Sequence, residues 1–470
     1  MAVQTQNSSE SNATLVEQAM QHVLGNIASR KLMPSMKLPS IRKFAHSMQV
    51  SKSTIVDAYD RLVAEGVIQA RKGSGFYVAG HLAPLALSQM TPQLDRAVDP
   101  LWVSRQSLEA GDDVLKPGCG WLPASWMPQD SIRRALRSVS RADPSVLTQY
   151  GTPLGFAPLR ELLVRRMANQ GITASPDQVI LMQSGTQTID LLCRFLIEPG
   201  DTVLVDDPCY FNFHALLKAH RVNVVSVPYT PHGPDLELFE QALLEHQPRL
   251  YITNSAIHNP TGAVLSPFVA HRLLKIAEQS DLIIIEDDIF ADLEAMPAPR
   301  LAALDGLNRV IHIGSFPKTL SAAARCGFIA APQRWINGLT DLKIATSYGG
   351  DPFSAELTWR VLKDGSYPKH LDSLRERLSR ALGQTCKRLN DIGIEPWITP
   401  AAGMYLWCKL PDNVMAADIA QIALTKDIIL APGNVFSLTE TAGQYLRFNV
   451  AQSASPKIFD FLEVAIHKNR

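Results

Sequence analysis

Apolar residues recur at helical spacing three times near the start of the chain. Leu15, Ala19, Val23, Leu24 and Ile27 lie on one stripe of residues 14–30; Ile41, Phe44, Ala45 and Met48 form a second; Ile55, Ala58, Tyr59, Leu62 and Val63 form a third. Each spacing predicts an amphipathic helix. Pro39 near a first turn supports the start of the second, and the hydroxyl-rich Ser51-Lys52-Ser53-Thr54 supports the start of the third, which Gly66 closes. Two helices joined by the short Gln49-Val50 turn make a helix-turn-helix. Val67–Arg71 and Phe76–Val78 then flank Lys72-Gly73-Ser74-Gly75, which reads as two short strands around a glycine turn, a wing. In such a fold the third helix offers Lys52, Ser53 and Thr54 to a major groove, while Arg42 and Lys72 meet phosphates, which position a protein without carrying sequence information.

From Val114 onward the pattern changes to short, nearly continuous apolar runs separated by helical periodicity: residues 178–182, 202–205, 222–227, 249–253, 281–285 and 310–313. Such runs predict a mainly parallel sheet covered by helices on both faces. Residues 402–407 and 445–449 predict strands of a smaller α/β lobe beginning near His370. Between the two regions, residues 80–113 hold Pro84, Pro92 and Pro100 with only patchy periodicity and are expected to be a linker. As coil, such a stretch spans on the order of 30 Å. The expected organisation is therefore a polar tail (1–13), a winged helix-turn-helix (14–79), a linker (80–113) and a large α/β domain (114–470) with its small lobe at about 370–470.

The chain has 470 residues, ample for a large core, with 45 basic and 45 acidic side chains. The first 80 residues carry nine Lys/Arg against five Asp/Glu, a mild basic excess that fits a nucleic-acid partner. Six scattered cysteines form no C-x-x-C pair and no metal-ligand cluster, so reduced thiols and no metal are expected. No apolar run approaches the roughly 20 residues of a membrane span, and residues 1–12 lack a signal-peptide core. A cytoplasmic location is expected.

Ligands of parallel sheets bind beyond the carboxyl ends of the strands, and the ends here carry chemistry. The first run leads into Ser184-Gly185-Thr186 and a helix, whose amides suit a phosphate. The second leads to Tyr210, the fourth to Asn259, the fifth to Asp287, and the sixth to Ser315 and Lys318, with Arg325 following. Each has a bland explanation singly: an N-cap, a core ring, a turn, a solvated lysine. Together they match pyridoxal 5'-phosphate. Lys318, neutral when desolvated, forms the Schiff base; Asp287 keeps the ring nitrogen protonated; Asn259 bonds the ring oxygen; Tyr210 stacks; Ser184, Gly185, Thr186, Ser315 and Arg325 hold the phosphate. Arg447 sits within a hydrophobic strand and needs an anion: a substrate or effector carboxylate, or else a buried Asp or Glu.

Leu38-Pro39-Ser40-x-Arg42, Val50-Ser51-Lys52-Ser53-Thr54, Ala58-Tyr59-x-x-Leu62-x-x-Glu65-Gly66 and Gly73-Ser74-Gly75-Phe76-x-Val78 resemble the DNA-binding domain of GntR-type bacterial regulators. The resemblance implies DNA contacts from Arg42, Ser51, Lys52, Ser53, Thr54 and Gly73. Lys52 stands where that family usually has Arg, which favours phosphate contact over a bidentate one. The region from about Val114 resembles the fold-type I aminotransferases, and Tyr150-Gly151-x-x-x-Gly155-x-x-x-Leu159-Arg160 is similar to a segment whose Tyr reaches the neighbouring subunit's cofactor phosphate. That implies a homodimer with Tyr150 acting across the interface. The whole chain resembles the MocR subfamily, GntR-type regulators with an aminotransferase-like effector domain. The implied function is a DNA-binding regulator that senses an amine or amino acid through pyridoxal phosphate; the rival is a working aminotransferase with an accessory DNA-binding domain.

Two positions depart from the enzymes. Phe290 stands where an active aminotransferase commonly has a Tyr bonding the cofactor's ring oxygen, and Pro317 precedes the lysine where Ser is common. One lost hydrogen bond to a charged group is worth roughly 1.5–3 kcal/mol, enough to slow proton transfer while leaving a cofactor bound.

Overall fold

Three helices and a two-stranded ribbon make up the front of the chain in the computed structural model, which describes residues 14–28, 31–32, 36–71, 73–79 and 100–469. The polar tail and Lys72 lie outside the described residues, as does the expected linker up to residue 99. The chain divides into two compact units between Ala86 and Leu87.

In the front unit the expected helices run Leu15–Ala28, Ile41–Met48 and Lys52–Ala64. Ser40 caps the second by accepting from the Lys43 N–H (3.3 Å), and Ser51 caps the third by accepting from the Thr54 N–H (3.1 Å). Between them Gln49 adopts a left-handed conformation (φ 55) that lets the chain reverse. Ala19, Val23, Phe44, Ile55, Ala58, Tyr59 and Leu62 form one core, and the Tyr59 hydroxyl donates to Pro39 O (3.0 Å), tying the third helix to the start of the second. The ribbon pairs β1 (Ile68–Arg71) antiparallel with β2 (Gly75–Val78). Gly73 and Gly75 take φ of 73 and 106 in its turn, where a side chain would be strained.

The large unit is built on an eight-stranded sheet: β3 (Val179–Met182), β4 (Thr202–Asp207), β5 (Asn223–Thr230), β6 (Gly233–Pro234), β7 (Leu250–Thr253), β8 (Ile283–Asp287), β9 (Val310–Ser315) and β10 (Gly327–Ala330). Their order is β3-β10-β9-β8-β7-β4-β5-β6. Six of these answer to the expected apolar runs. The apolar runs show neither the two-residue β6 nor β10, a four-residue strand antiparallel to both β3 and β9. Both sheet faces are buried, one in the cluster around Val139, Leu163 and Leu273 and the other in that around Leu192, Phe213 and Leu339.

A second, four-stranded sheet of order β11-β12-β14-β13 carries the small lobe, with β11 (Glu395–Pro396), β12 (Tyr405–Lys409), β13 (Ala431–Pro432) and β14 (Tyr445–Asn449). The helix Ser366–Asp391 joins the lobes: its Leu371 packs in the large-sheet core, its Leu374, Leu378, Leu382 and Leu389 in the small-lobe core. The small lobe is not confined to the C-terminal residues. Leu115 bridges to Ile428, and the Gly118 N–H donates to Ile429 O (2.9 Å), so residues 115–122 lie along it. The expected linker also ends earlier than residue 113, because Pro100–Glu109 is a helix whose Val103 is buried with Phe211, Trp407 and Phe436. Val103 and its neighbours gave too short a periodic signal after Pro100 to be told from docked coil.

Leu62→Ala in the front unit leaves a cavity that costs about 2–5 kcal/mol. Hydrogen exchange should lose protection over residues 52–64 and keep it over 179–182; equal loss in both would contradict two separately stabilised units.

Candidate cofactor and effector site

The carboxyl ends of β8 and β9 bring Asp287 and Lys318 together. Asp287 closes β8 with 4 % exposure, and its Oδ1 accepts from the Ile289 N–H (3.3 Å). Burial, aided by the charge of Asp288, pushes its pKa up to about 7, against hydrogen bonds from Asn254 and Ile289 and the charge of Lys318. A carboxyl so placed is poised to ionise once a cation, such as a pyridinium, lies beside it.

Lys318 is half-buried in the loop after β9. Its ammonium donates to Gly120 O (2.5 Å), which also accepts from the Tyr405 hydroxyl (3.3 Å). The amine lies 5.9 Å from the Phe290 ring centre. Burial, then the charge of Arg447, lowers its pKa to about 8, with Cys119 and Asp287 opposing.

Arg447 is the most unusual group. On β14 it is 1 % exposed, with Nη1 donating to Asn259 Oδ1 (2.9 Å) and Nη2 to Gly118 O (2.7 Å). Its guanidinium lies over the rings of Tyr405 (4.2 Å) and Phe436 (4.6 Å). Its Nε is buried without a partner, and no ion pair to Asp or Glu is formed among the described residues. Cation–π contacts and neutral acceptors offset part of the cost of burying this charge, but a carboxylate would offset far more. Asn259, itself 2 % exposed, keeps its amide NH2 as a donor while its oxygen serves Arg447.

Ser184 caps the helix Gly185–Leu196, its Oγ accepting from the Gln187 N–H (3.2 Å). A Cβ on Gly185 would lie 3.4 Å from Ser315 Oγ, and one on Gly327 would meet the backbone of Ser184 at 3.0 Å, so both glycines permit the close approach of β9 and β10 to this turn. Thr186 and Arg325 are exposed beside it, and the Arg325 side chain makes no ion pair or hydrogen bond among the described residues. Tyr210 is half-buried against Phe211 and Phe213, and the charges of Arg447, Asp287 and Arg325 all act on its hydroxyl. These groups fit pyridoxal 5'-phosphate: a glycine-lined helix N-terminus, a lone arginine, a ring, an amide, a buried acid and a lysine of lowered pKa.

Tyr150 is not among them. It is 80 % exposed, its ring edge-on to Tyr348 at 4.8 Å. In the front unit Arg42 is exposed at the start of the second helix, and Ser51, Lys52 and Ser53 are exposed and Thr54 half-buried at the start of the third. Ser51 Oγ is engaged with Ser53 Oγ (2.7 Å) and Thr54 Oγ1 (2.8 Å), so it acts first as a cap. Gly73 is exposed at the wing tip. Arg71 covers the Tyr77 ring (4.4 Å) and shapes the wing. Gly120, Tyr405 and Gly327 escape sequence reasoning: Tyr405 reads as a core strand residue, and isolated glycines carry no signal.

The lowered lysine pKa has a direct consequence. At pH 7 a pKa of about 8 leaves roughly 300-fold more neutral amine than the ordinary 10.5 does. Competitive acylation of Lys318 should therefore titrate near pH 8 in cofactor-free protein, whereas a midpoint above 10 would contradict its burial.

The family model for aminotransferase class I and II matches residues 122–463, and that for bacterial regulatory proteins of the gntR family matches residues 15–78. The chain is 31 % identical over 448 residues to the uncharacterized HTH-type transcriptional regulator YdcR of Escherichia coli, covering 93 % of this chain and 94 % of the relative. It is 27 % identical to the HTH-type transcriptional regulator NorG of Staphylococcus aureus, covering 86 % and 93 %. The crystal structure of Pyrococcus horikoshii kynurenine aminotransferase superposes with a TM-score of 0.71 at 25 % identity, over 81 % of this chain and 98 % of that one. LysN, the α-aminoadipate aminotransferase of Thermus thermophilus, shares the fold at a TM-score of 0.72 and 23 % identity, over 82 % and 99 %. With a gntR-type domain in front of an aminotransferase class I and II domain, the chain belongs to the MocR subfamily of GntR-type transcription regulators.

Proposed function

We propose that the protein is a cytoplasmic, homodimeric, DNA-binding regulator that carries pyridoxal 5'-phosphate on Lys318 and senses an amine or amino acid. The observation that carries this reading is Arg447, a buried guanidinium with no carboxylate paired to it among the described residues, beside Asn259 and close enough to Lys318 for its charge to depress the amine. When bound, the cofactor supplies an aldehyde for amine exchange and a ring that accepts electron density.

This chain's residues do the rest. Ser184, Gly185, Thr186, Ser315 and Arg325 hold the phosphate, Tyr210 covers the ring, and Asp287 keeps the ring nitrogen protonated. Arg447 and the Gly118–Gly120 segment receive the effector's carboxylate. Tyr150 of the partner subunit completes the phosphate site, in keeping with its exposure on its own protomer. In place of the hydroxyl found in working aminotransferases stands Phe290, 2 % exposed and 5.7 Å edge-on to Tyr405. It orders the wall without accepting or donating a proton, which suits recognition over turnover. Effector binding alters DNA affinity to the extent that the two states of the large unit bind it unequally.

A second reading, a working aminotransferase, is favoured by the full set of Lys318, Asp287, Asn259 and Arg447 around one site. Multiple turnover between an amino acid and a 2-oxo acid at rates near the enzyme median of about 10 per second would support it.

Lys318→Ala should abolish the yellow Schiff-base absorbance that pyridoxal phosphate gives with the protein; an unchanged spectrum refutes the assignment. Lys52→Ala should weaken DNA binding about uniformly across sequences and reduce the salt slope by about 1, read by titration on genomic fragments at several salt concentrations. A loss confined to one base position would instead make Lys52 a base reader.

A further inference from the structure

Thr319, the residue after Lys318, is 2 % exposed and is gripped from three sides. Its Oγ1 donates to Asp292 Oδ2 (3.2 Å) and meets the Tyr367 hydroxyl (2.9 Å), while Tyr367 donates to the same Oδ2 (2.9 Å). Its backbone carbonyl accepts from His370 Nε2 (2.9 Å). Asp292 is anchored in turn: Arg166 pairs with its Oδ1, and Arg375 donates to its backbone carbonyl (3.1 Å). Tyr367, His370 and Arg375 all belong to the helix Ser366–Asp391 that runs from the large-sheet core into the small lobe. Tyr367 is 1 % exposed, and burial pushes its phenol well above the ordinary range, so it remains a donor. Burial also lowers the His370 pKa, leaving a neutral ring whose Nε2–H donates to the carbonyl.

On the other side of the lysine the usual restraints are missing. Pro317 offers no N–H, and Phe290 has no hydroxyl. The loop is therefore steered from behind.

We propose that Tyr367 and His370, with Asp292, are positioning residues that clamp Thr319 and thereby hold the Lys318 amine in its buried place, so that the lobe-joining helix sets how available that amine is. They act on the amine through Thr319. The same bonds couple small-lobe movement to the lysine, because the helix cannot shift without drawing on the Thr319 hydroxyl and carbonyl. This proposal rests on Lys318 being the cofactor lysine, yet its geometry concerns the amine itself.

The test uses full-length protein and the variants T319V, T319S, Y367F and H370A. The first readout is the pH midpoint of Lys318 acylation without cofactor, quantified by peptide mass spectrometry. Arg447, Cys119 and Asp287 are the charged or titratable groups acting on that amine. Loosening the loop moves it toward solvent and away from Arg447, so T319V and Y367F should raise the midpoint by about one pH unit, a tenfold loss of neutral amine. H370A should move it the same way, and T319S, which keeps the hydroxyl, should titrate like the wild type. The second readout is pyridoxal phosphate titration by absorbance, where T319V and Y367F should weaken apparent affinity about tenfold. A wild-type protein giving no absorbance would sink the cofactor reading alone, since acylation still judges the clamp. Should Y367F fail to fold, the T319V and T319S pair decides. Midpoints of T319V and every folded companion variant indistinguishable from wild type would overturn the clamp.

Discussion

A guanidinium buried to 1 % exposure, with no carboxylate paired to it among the described residues, governs how the rest of the site is arranged. Burying such a charge is costly, and Arg447 is held by two carbonyl-type oxygens and two aromatic faces. Its uncompensated charge reaches Lys318, where it adds to burial in keeping the amine partly neutral. Under the proposed function, this one cation both receives a carboxylate and helps keep the Lys318 amine neutral. Asp287, held near neutrality by burial, completes a trio whose members each gain from a ligand of opposite or complementary charge.

The fold supplies these groups from separate places. Asp287 and Lys318 come from adjacent strand ends of the large sheet, Arg447 from the central pairing of the small sheet, and the Gly118–Gly120 segment from the stretch that runs along the small lobe. The site is consequently a junction between lobes. The helix Ser366–Asp391 has side chains in both cores, which makes lobe position and site geometry interdependent. A ligand that binds two arrangements of the lobes unequally would shift the balance between them.

Strand-end chemistry was legible in the sequence because buried parallel strands are long apolar runs whose ends are marked by the first polar residues. Asp287 and Lys318 stood out for that reason, and the hydroxyl-rich Ser51–Thr54 stood out as the start of a periodic helix, whereas the cap Ser40 was masked by Pro39. The antiparallel strand at Gly327–Ala330 was not legible: four residues after an arginine-containing loop carry no period, and its place between β3 and β9 is fixed by long-range pairing. Nor could the sequence tell that Gly120 O lies against Lys318, since 198 residues separate them. The helix Pro100–Glu109 was hidden by the prolines of the segment before it, and its place is set by burial of Val103 against side chains far along the chain. Tyr367 and His370 read as ordinary residues of a long helix; only the fold shows that they face Thr319.

Lys318 is not the sole lysine with a lowered pKa. Lys343 is 1 % exposed, donates to Pro153 O (2.6 Å) and is also brought to about 8 by burial and Arg160. What distinguishes Lys318 is its company, the buried acid Asp287 and the buried guanidinium of Arg447, whose charges both act on its amine. Borohydride reduction of the pyridoxal-phosphate-loaded protein, followed by peptide mass spectrometry, separates the two directly. The phosphopyridoxyl group should be found on the peptide bearing Lys318; its absence there, or its presence on Lys343 instead, would contradict the account.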